Sequence, residues 1–263
     1  MTAVTDPWTR RTARADALAA DGGPSVSLVR FYARILREQQ KVYWALAATR
    51  PTGVLEVDAG AVLECGADLL RTVGELGPEP LAAEARELLD SPDSVRHGEL
   101  LTYWHDRSDR MFFPKALLQP YAEWLTRNDS RSIAGASTAR HDRCPRCDGP
   151  PQLSILEGSA ATAADGGTRF LQCATCLTSW LFRRVVCPSC GNEDERTLAY
   201  YQAPTFPHVR VDACDRCGRY LKSIDLTRLG LAVPLVDEVA AAPLDLWAQE
   251  HGYEKIALNL VGL

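Results

Sequence analysis

Apolar side chains recur at helical spacing through the first half of the chain. From Pro24 to about Arg127 they repeat every three or four residues, as expected of amphipathic helices. The two clearest stripes are Leu28, Phe31, Tyr32, Ile35, Val42, Tyr43 and Leu46, then Val62, Cys65, Leu69, Val73 and Leu76. This pattern predicts an all-helical bundle.

Proline and glycine mark where these helices end. Gly77 and Pro78 close the second stripe in the usual way for a helix followed by a turn. Further helices are predicted over residues 79–90, 94–108 and 110–127. Because Pro114 and Pro120 lie inside the last of these, we expect that helix to be broken or kinked.

The pattern changes after the bundle. Residues 128–141 are rich in Ser, Arg, Thr, Ala and Gly without periodicity, which predicts a linker. Short β-prone segments separated by Gly, Pro or Asp follow it, as in small hairpins. They are Gln152–Leu156, Thr168–Gln172, Thr197–Gln202 and His208–Asp212. Residues 231–251 are again predicted to be helical, and the apolar tail after them is expected to pack on the body of the protein.

These patterns predict an α+β protein of two parts. An all-α helical bundle occupies residues 1–140, with the linker at its end. Two tandem β modules of the rubredoxin-like or zinc-ribbon type follow at 141–185 and 186–230. A short C-terminal helical segment with its tail covers 231–263.

Eight of the nine cysteines form four Cys-x-x-Cys pairs. The pairs are Cys144/Cys147, Cys173/Cys176, Cys187/Cys190 and Cys214/Cys217. The third and fourth pairs follow the first and second at offsets of 43 and 41 residues, so the region is an internal duplication. Each copy has a Cys-x2-Cys pair on either side of a spacer, of 25 residues in the first copy and 23 in the second. The duplication favours sequential pairing, one ion per copy, over an interleaved arrangement.

Two such turns facing each other predict a tetrahedral site of four thiolates, with no position left for substrate or activated water. We therefore expect two metal ions and no hydrolytic metal catalysis. Iron and zinc both accept this donor set, and the spacing does not separate them. Gly191 and Gly218 each follow a pair, where a positive φ suits glycine. Cys65 lies on a helical stripe and is expected to be a packing residue, and His141 is expected to be exposed rather than a ligand.

Charge and apolar content narrow the function classes. The net charge is −5, which argues against a nucleic-acid partner. The apolar runs are much shorter than a bilayer-spanning helix needs. Arg10-Arg11 could begin a twin-arginine export signal, but the residues after this pair lack the apolar core that such a signal requires. We therefore expect a cytoplasmic protein whose cysteines bind metal instead of forming disulfides.

The motif order resembles the FdhE family of formate dehydrogenase accessory proteins. The likeness is carried by Cys-Pro-Arg-Cys at 144–147, Leu-Gln-Cys-Ala-Thr-Cys-Leu-Thr-Ser-Trp at 171–180, Cys-Pro-Ser-Cys-Gly at 187–191 and Cys-Asp-Arg-Cys-Gly-Arg-Tyr-Leu-Lys at 214–222. Gln119-Pro120-Tyr121 and Leu244-Asp245-Leu246-Trp247 are similar as well. One position departs from the family pattern: Asp148 stands where the family usually has glycine, and Gly149 follows it.

The resemblance implies a non-enzymatic maturation or chaperone-like factor that binds the catalytic subunit of formate dehydrogenase in the cytoplasm. It also implies iron in rubredoxin-type sites. Two other functions stay open: a rubredoxin-like electron carrier and, against the charge, a zinc-ribbon nucleic-acid binder. The oligomeric state, a homodimer included, stays open too.

Overall fold

The N-terminal half is a helical bundle in the computed structural model, which describes residues 7–128, 142–158 and 167–263. Its helices are α1 (Pro7–Asp21), α2 (Val26–Thr49), α3 (Leu55–Leu76), α4 (Glu79–Asp90), α5 (Asp93–Asp106) and α6 (Phe112–Asn128). The two apolar stripes lie on α2 and α3, and within the described ranges these two helices together supply 14 of the 29 buried residues of the bundle core. The predicted linker falls almost wholly on residues outside the described ranges, as does His141.

Helix α1 was not anticipated from the sequence. Trp8 and Ala15 on this helix are fully buried, but Arg11 lies between them on the same face. The Arg11 guanidinium donates two hydrogen bonds, of 2.7 and 2.9 Å, to the carboxylate of Glu123 on α6. A charged residue therefore interrupts the apolar stripe that would have indicated this helix.

Helix α6 is not broken at its prolines. It runs as one helix from Phe112 to Asn128, with Pro120 inside it. Pro114 lies in the first turn, where backbone N–H groups have no partner within the helix and a missing one costs little. The prediction of a break is therefore wrong, because almost every side chain from Phe113 to Leu125 is buried and tertiary packing holds the helix together, and a kink at Pro120 stays a prediction.

The second half is organised around one mixed sheet. Its strands are β1 (Pro151–Glu157), β2 (Thr168–Cys173), β3 (Ser179–Leu181), β4 (Leu198–Gln202), β5 (Val209–Cys214), β6 (Arg219–Asp225) and β7 (Glu254–Lys255). The strand order is β3-β2-β1-β6-β5-β4, and β7 also pairs with β6. Strands β1 and β6 are parallel, with Leu153 opposite Lys222 and Leu156 opposite Asp225. The two cysteine-rich copies thus share a sheet instead of folding as separate hairpins.

A buried arginine braces the junction of the two copies. Arg169 on β2 approaches Asp212 on β5 at 3.4 Å. One of its terminal nitrogens also donates to the backbone carbonyls of Arg183, Arg184 and Val186, at 3.1 to 3.4 Å. Arg169 therefore holds the segment that leads into the third cysteine pair.

Helices α7 (Pro234–Ala240) and α8 (Ala242–Glu250) cover part of the sheet through buried ion pairs. Lys222 and Lys255 face Glu238 and Asp245, and all four side chains are fully buried. Burial alone would lower the pKa of Lys255, but the carboxylates of Glu238 and Asp245 outweigh it and raise that pKa. Because a buried charge without its partner is costly, these pairs fix α7 and α8 in one position on the sheet.

The C-terminal tail returns to the bundle. Leu260 is buried in the helical core, and Lys115 of α6 donates to the carbonyl of Leu258 at 2.6 Å. Within the described ranges, no helix combines the length and the apolar composition that crossing a bilayer requires.

Candidate metal centres

The eight paired cysteines come together in two groups of four. Cys144, Cys147, Cys173 and Cys176 form the first centre, and Cys187, Cys190, Cys214 and Cys217 form the second. Within each centre the sulfur atoms lie within 4.8 Å of one another. This is the sequential grouping that the duplication favours, and each sequence copy supplies one centre.

The sulfur separations fit a four-thiolate metal site. A tetrahedron with metal–sulfur bonds of about 2.3 Å has edges of about 3.8 Å. In the second centre, the Cys187–Cys217 and Cys190–Cys214 separations are both 3.8 Å. The closest pairs of the first centre are 3.4 to 3.5 Å apart. All eight cysteines are free thiols, so the donor set is available to an ion.

Each cysteine pair lies on a turn of the same shape. The residue directly after the second cysteine has a positive φ in all four turns: 57° at Asp148, 58° at Leu177, 71° at Gly191 and 67° at Gly218. In three of them its N–H donates to the carbonyl of the first cysteine, at 2.8 to 2.9 Å. The prediction of positive φ at the two glycines is therefore confirmed, and the same conformation extends to two positions without glycine.

Gly149 has a different role from the glycines that follow the later pairs. A Cβ at this position would lie 2.9 Å from the sulfur of Cys173 and 3.3 Å from that of Cys147. Asp148 takes the left-handed conformation, which aspartate tolerates better than most residues. Gly149 then lets the backbone approach the sulfurs, so the departure from the family pattern is compatible with the turn.

Backbone and side-chain donors point at the sulfurs. The N–H groups of Arg146, Thr175 and Ser189 donate to the first cysteine of their turns at 3.3 to 3.4 Å. The buried amide of Asn192 donates to the sulfur of Cys214 at 3.6 Å. Such donors offset thiolate charge and orient the ligands. Asn192 was not singled out from the sequence, although its place just after Cys-Pro-Ser-Cys-Gly is a signal that could have identified it.

Four thiols this close together do not ionise independently. Hydrogen bonding with the sulfur of Cys144 raises the pKa of Cys176 well above its ordinary value, and the sulfurs of Cys147 and Cys173 add to the effect. A cation among the four sulfurs stabilises the charged form and allows all of them to bind as thiolates. The residues therefore fit a metal ion by number, distance and chemistry.

The two centres differ in exposure. All four cysteines of the first centre are buried, and Trp104 and Ala122 from the bundle pack against them together with Trp180. In the second centre, Cys190 is exposed and Cys217 is partly exposed. Two cavities, of about 240 and 870 Å³, are lined by cysteines of the second centre. The first centre is thus enclosed and the second is open to solvent.

Two family models match the cysteine-rich part of the chain. The model described as "FdhE, central domain" matches residues 143–184, and "FdhE, C-terminal domain" matches residues 185–261. A crystal structure titled as the FdhE protein from Pseudomonas aeruginosa superimposes with a TM-score of 0.72 at 24% identity, covering 99% of this chain and 97% of that one. At this identity the structural match shows a shared fold.

Curated relatives carry the name "Protein FdhE homolog". The one from Aquifex aeolicus is 40% identical over 119 residues, which cover 45% of this chain and 41% of the relative. The one from Edwardsiella ictaluri is 28% identical over 242 residues, which cover 92% of this chain and 70% of the relative. For the one from Pseudomonas putida, 27% identity extends over 69% of this chain and 59% of the relative. The chain therefore spans less than two thirds of the length of two of these three relatives.

Proposed function

Because the chain belongs to the FdhE family, whose central and C-terminal domains it matches over residues 143–261, we propose that it is an accessory protein of formate dehydrogenase. In this proposal it binds the catalytic subunit of that enzyme in the cytoplasm and does not itself oxidise formate. The observation that carries the proposal is the pair of four-cysteine centres, which lie within the matched region in the motif order of the family.

The eight cysteines would each hold one corner of a four-thiolate site, with two ions per chain. Iron in such a site supplies a single-electron couple, whereas zinc has no redox chemistry and only stabilises the turns. The chain's own residues orient and shield the ligands: the N–H groups of Thr175 and Ser189 donate to sulfur in the first and second centre respectively. A filled tetrahedral shell leaves no open position for substrate, which supports a non-enzymatic role.

A rigid body around the centres supports a role in binding another protein. The shared sheet, the buried ion pairs under α7 and α8 and the contact of the tail with the bundle join the parts of the chain into one scaffold. Pre-organised surfaces lose less conformational entropy when they bind a partner. The chain is therefore suited to present a fixed surface to a client subunit.

The proposal is tested by deleting the gene in its own host and measuring formate dehydrogenase activity in cell extracts. We expect the activity to fall sharply and to return when wild-type protein is supplied. Cys187→Ser should fail to restore it, whereas the matched control Cys65→Ser, which changes a thiol in neither centre, should restore it. Full activity in the deletion strain would contradict the proposal.

A direct interaction is tested separately by pull-down of the purified catalytic subunit with the tagged chain. Retention of the subunit supports client binding. If deletion lowers the activity but the tagged chain retains no catalytic subunit, the chain has an accessory role that does not depend on a complex with that subunit.

The exposed cysteine of the second centre favours a second candidate function, that of a rubredoxin-like electron carrier. Anaerobic purification followed by elemental analysis and an ultraviolet–visible spectrum decides between the two metals. Iron with thiolate charge-transfer bands keeps electron transfer open, and colourless protein that contains only zinc excludes it.

A further inference from the structure

Three exposed apolar side chains lie around the second centre. Leu181 and Tyr200 are each 67% exposed, and Val185 is 43% exposed. Single exposed apolar residues are common on protein surfaces, but a cluster of them marks an interaction site more often than chance. These three line the two cavities that border the second centre.

The two cavities form one continuous face. Both are lined by Arg169, Arg184, Val186 and Cys187, so the chain leading into the third cysteine pair forms the ridge between them. We call this surface the second-centre face and define it by Leu181, Val185, Tyr200, Arg210 and Arg219 around Cys187 and Cys190.

The smaller cavity of this face is rich in arginine. Arg169, Arg184, Arg210 and Arg219 line it, and Asp212 is the carboxylate among the lining residues. A divalent ion bound by four thiolates leaves a net charge of −2 on the centre, and with Glu254 beside Arg219 the positive and negative charges of this region then balance. Among the lining residues themselves, four arginines face one carboxylate on a chain whose net charge is −5. Such a local concentration of guanidinium groups favours an acidic partner at this position.

The arginines are positioned to receive carboxylates. Arg210 lies over the ring of Tyr200, 5.3 Å from its centroid, and pairs with Asp212 at 2.7 Å. Arg219 pairs with Glu254 at 3.0 Å, and the Glu254 side chain is 74% exposed. An exposed partner is displaced at little cost, and a guanidinium binds carboxylate through two parallel hydrogen bonds.

We propose that the second-centre face is the surface on which the client subunit docks, and that the client places an acidic segment in the arginine-lined cavity with an apolar side chain against Tyr200. The inference rests on the proposed accessory function and specifies the surface that performs it. Apolar anchors inside a charged rim are the usual anatomy of a specific interface. Docking here brings the client next to Cys190, the exposed ligand of the open centre.

The test is the affinity of the full-length, metal-loaded chain for the purified catalytic subunit, measured by biolayer interferometry at several salt concentrations. We expect the double variant Arg210→Glu with Arg219→Glu to bind about tenfold more weakly or worse, because carboxylates replace the guanidiniums that receive the client. The affinity of the wild type should fall with salt, and that of the double variant should fall less steeply.

A matched control separates this local effect from the change in net charge. Arg71→Glu with Arg86→Glu makes the same change in charge on the bundle, where Arg71 pairs with Asp68 and Arg86 with Glu79. We expect this control to bind as the wild type does. Elemental analysis of each variant verifies that both ions are retained, which matters because Arg219 lies two residues after Cys217.

An uncharged variant tests the apolar part of the face and stays informative if the charge variant loses metal. Tyr200→Ala should weaken binding several-fold, and Val57→Ala, at a position 68% exposed on α3, should not. If the wild type binds and the face variants bind equally well, the docking surface is wrong and the accessory function stands. If the wild type does not bind the client at all, the docking surface and the proposed binding of the catalytic subunit both fail, and the accessory role is decided by the deletion experiment alone. Binding of free acetate alone would show a small-anion site and would also overturn the docking surface.

Discussion

The hydroxyl groups of Ser154 and Ser223 lie 2.8 Å apart across the parallel pairing of β1 with β6. Both side chains are fully buried. Ser154 also accepts a hydrogen bond from Arg169 at 3.2 Å, and Ser223 donates to Asp212 at 2.5 Å. A closed polar network of four side chains therefore spans four strands where the two copies meet.

Arg169→Met tests this network. The variant leaves three backbone carbonyls ahead of the third cysteine pair without their donor and removes one of the two guanidiniums beside Asp212, since Arg210 remains, so we expect a loss of about 1–3 kcal/mol in unfolding free energy. Urea unfolding followed by circular dichroism measures it. The control is Arg183→Met, an exposed arginine paired with exposed Glu193, whose removal should leave the unfolding midpoint unchanged. Equal midpoints for the two variants would contradict a role for the network.

Metal removal should proceed in two steps. Cys190 is exposed, whereas every cysteine of the first centre is buried under bundle residues. A chelator under native conditions should therefore take up about one ion per chain quickly and the second only when the fold opens. Release is followed with a metallochromic dye, with urea added to expose the slow fraction. Simultaneous release of both ions in buffer would show that the centres are equally accessible.

The residues with positive φ after the cysteine pairs should tolerate glycine better than alanine. Asp148→Gly should change stability by less than about 1 kcal/mol, because glycine adopts the φ of 57° freely but increases the entropy of the unfolded chain. Gly191→Ala should destabilise the protein by about 1 kcal/mol, because a φ of 71° is unfavourable for alanine. The effect is one of backbone conformation alone, since a Cβ at this position would contact no atom beyond its chain neighbours. Thermal unfolding of the metal-loaded proteins measures both changes. A Gly191→Ala variant as stable as the wild type would argue against strain at this turn.

Ionised Asp237 is expected to stabilise the folded state at neutral pH, and this stabilisation should disappear in acid. Burial would raise the pKa of Asp237, but hydrogen bonds from His208 and Arg14 outweigh it and hold that pKa below its ordinary value of 3.8. A lowered carboxyl pKa stabilises the folded state above pH 3.8, and this contribution is lost as the pH falls through the folded pKa. The wild type should therefore be more stable than Asp237→Asn at pH 7, and the difference should shrink below about pH 4.

The measurement is the difference in urea midpoint between the two proteins at each pH, since the acid sensitivity that they share cancels. Asp16→Asn is the control, because Asp16 pairs with Arg37 on the surface and both side chains are about half exposed. A difference that stays constant down to pH 3 would show that Asp237 is not the group that titrates.

Local features of this fold could be predicted from sequence, and long-range ones could not. The spacing of the cysteines and the glycines after Cys190 and Cys217 are local requirements of a turn, so they indicated the two centres directly. The helices α2 and α3 followed from apolar periodicity in the same way. Iron or zinc stays undecided, since both accept the same four sulfurs.

Strand β6 shows why features that depend on long-range contacts could not be predicted from the sequence. Its sequence, Arg219 to Asp225, alternates too little for a half-buried strand, and Lys222 in its middle would argue for exposure. Lys222 is buried because Glu238 and Asp245, 16 and 23 residues further along the chain, supply its counter-charges. Partners at such separation leave no mark in a short window of sequence, and the same holds for Arg11 with Glu123.

The strand order has one more consequence, for growth of the sheet. In the part of the chain that the structure describes, each copy contributes three strands, and the copies join head to tail: the first strand of copy one, β1, pairs with the last strand of copy two, β6. A head-to-tail junction could in principle repeat without end, as in a fibre, with β4 of one molecule adding to β3 of the next. Strand β3 has three residues where β6 has seven, so it offers a much shorter ladder to another strand. The shortness of this one edge strand therefore disfavours growth of the sheet beyond the two copies.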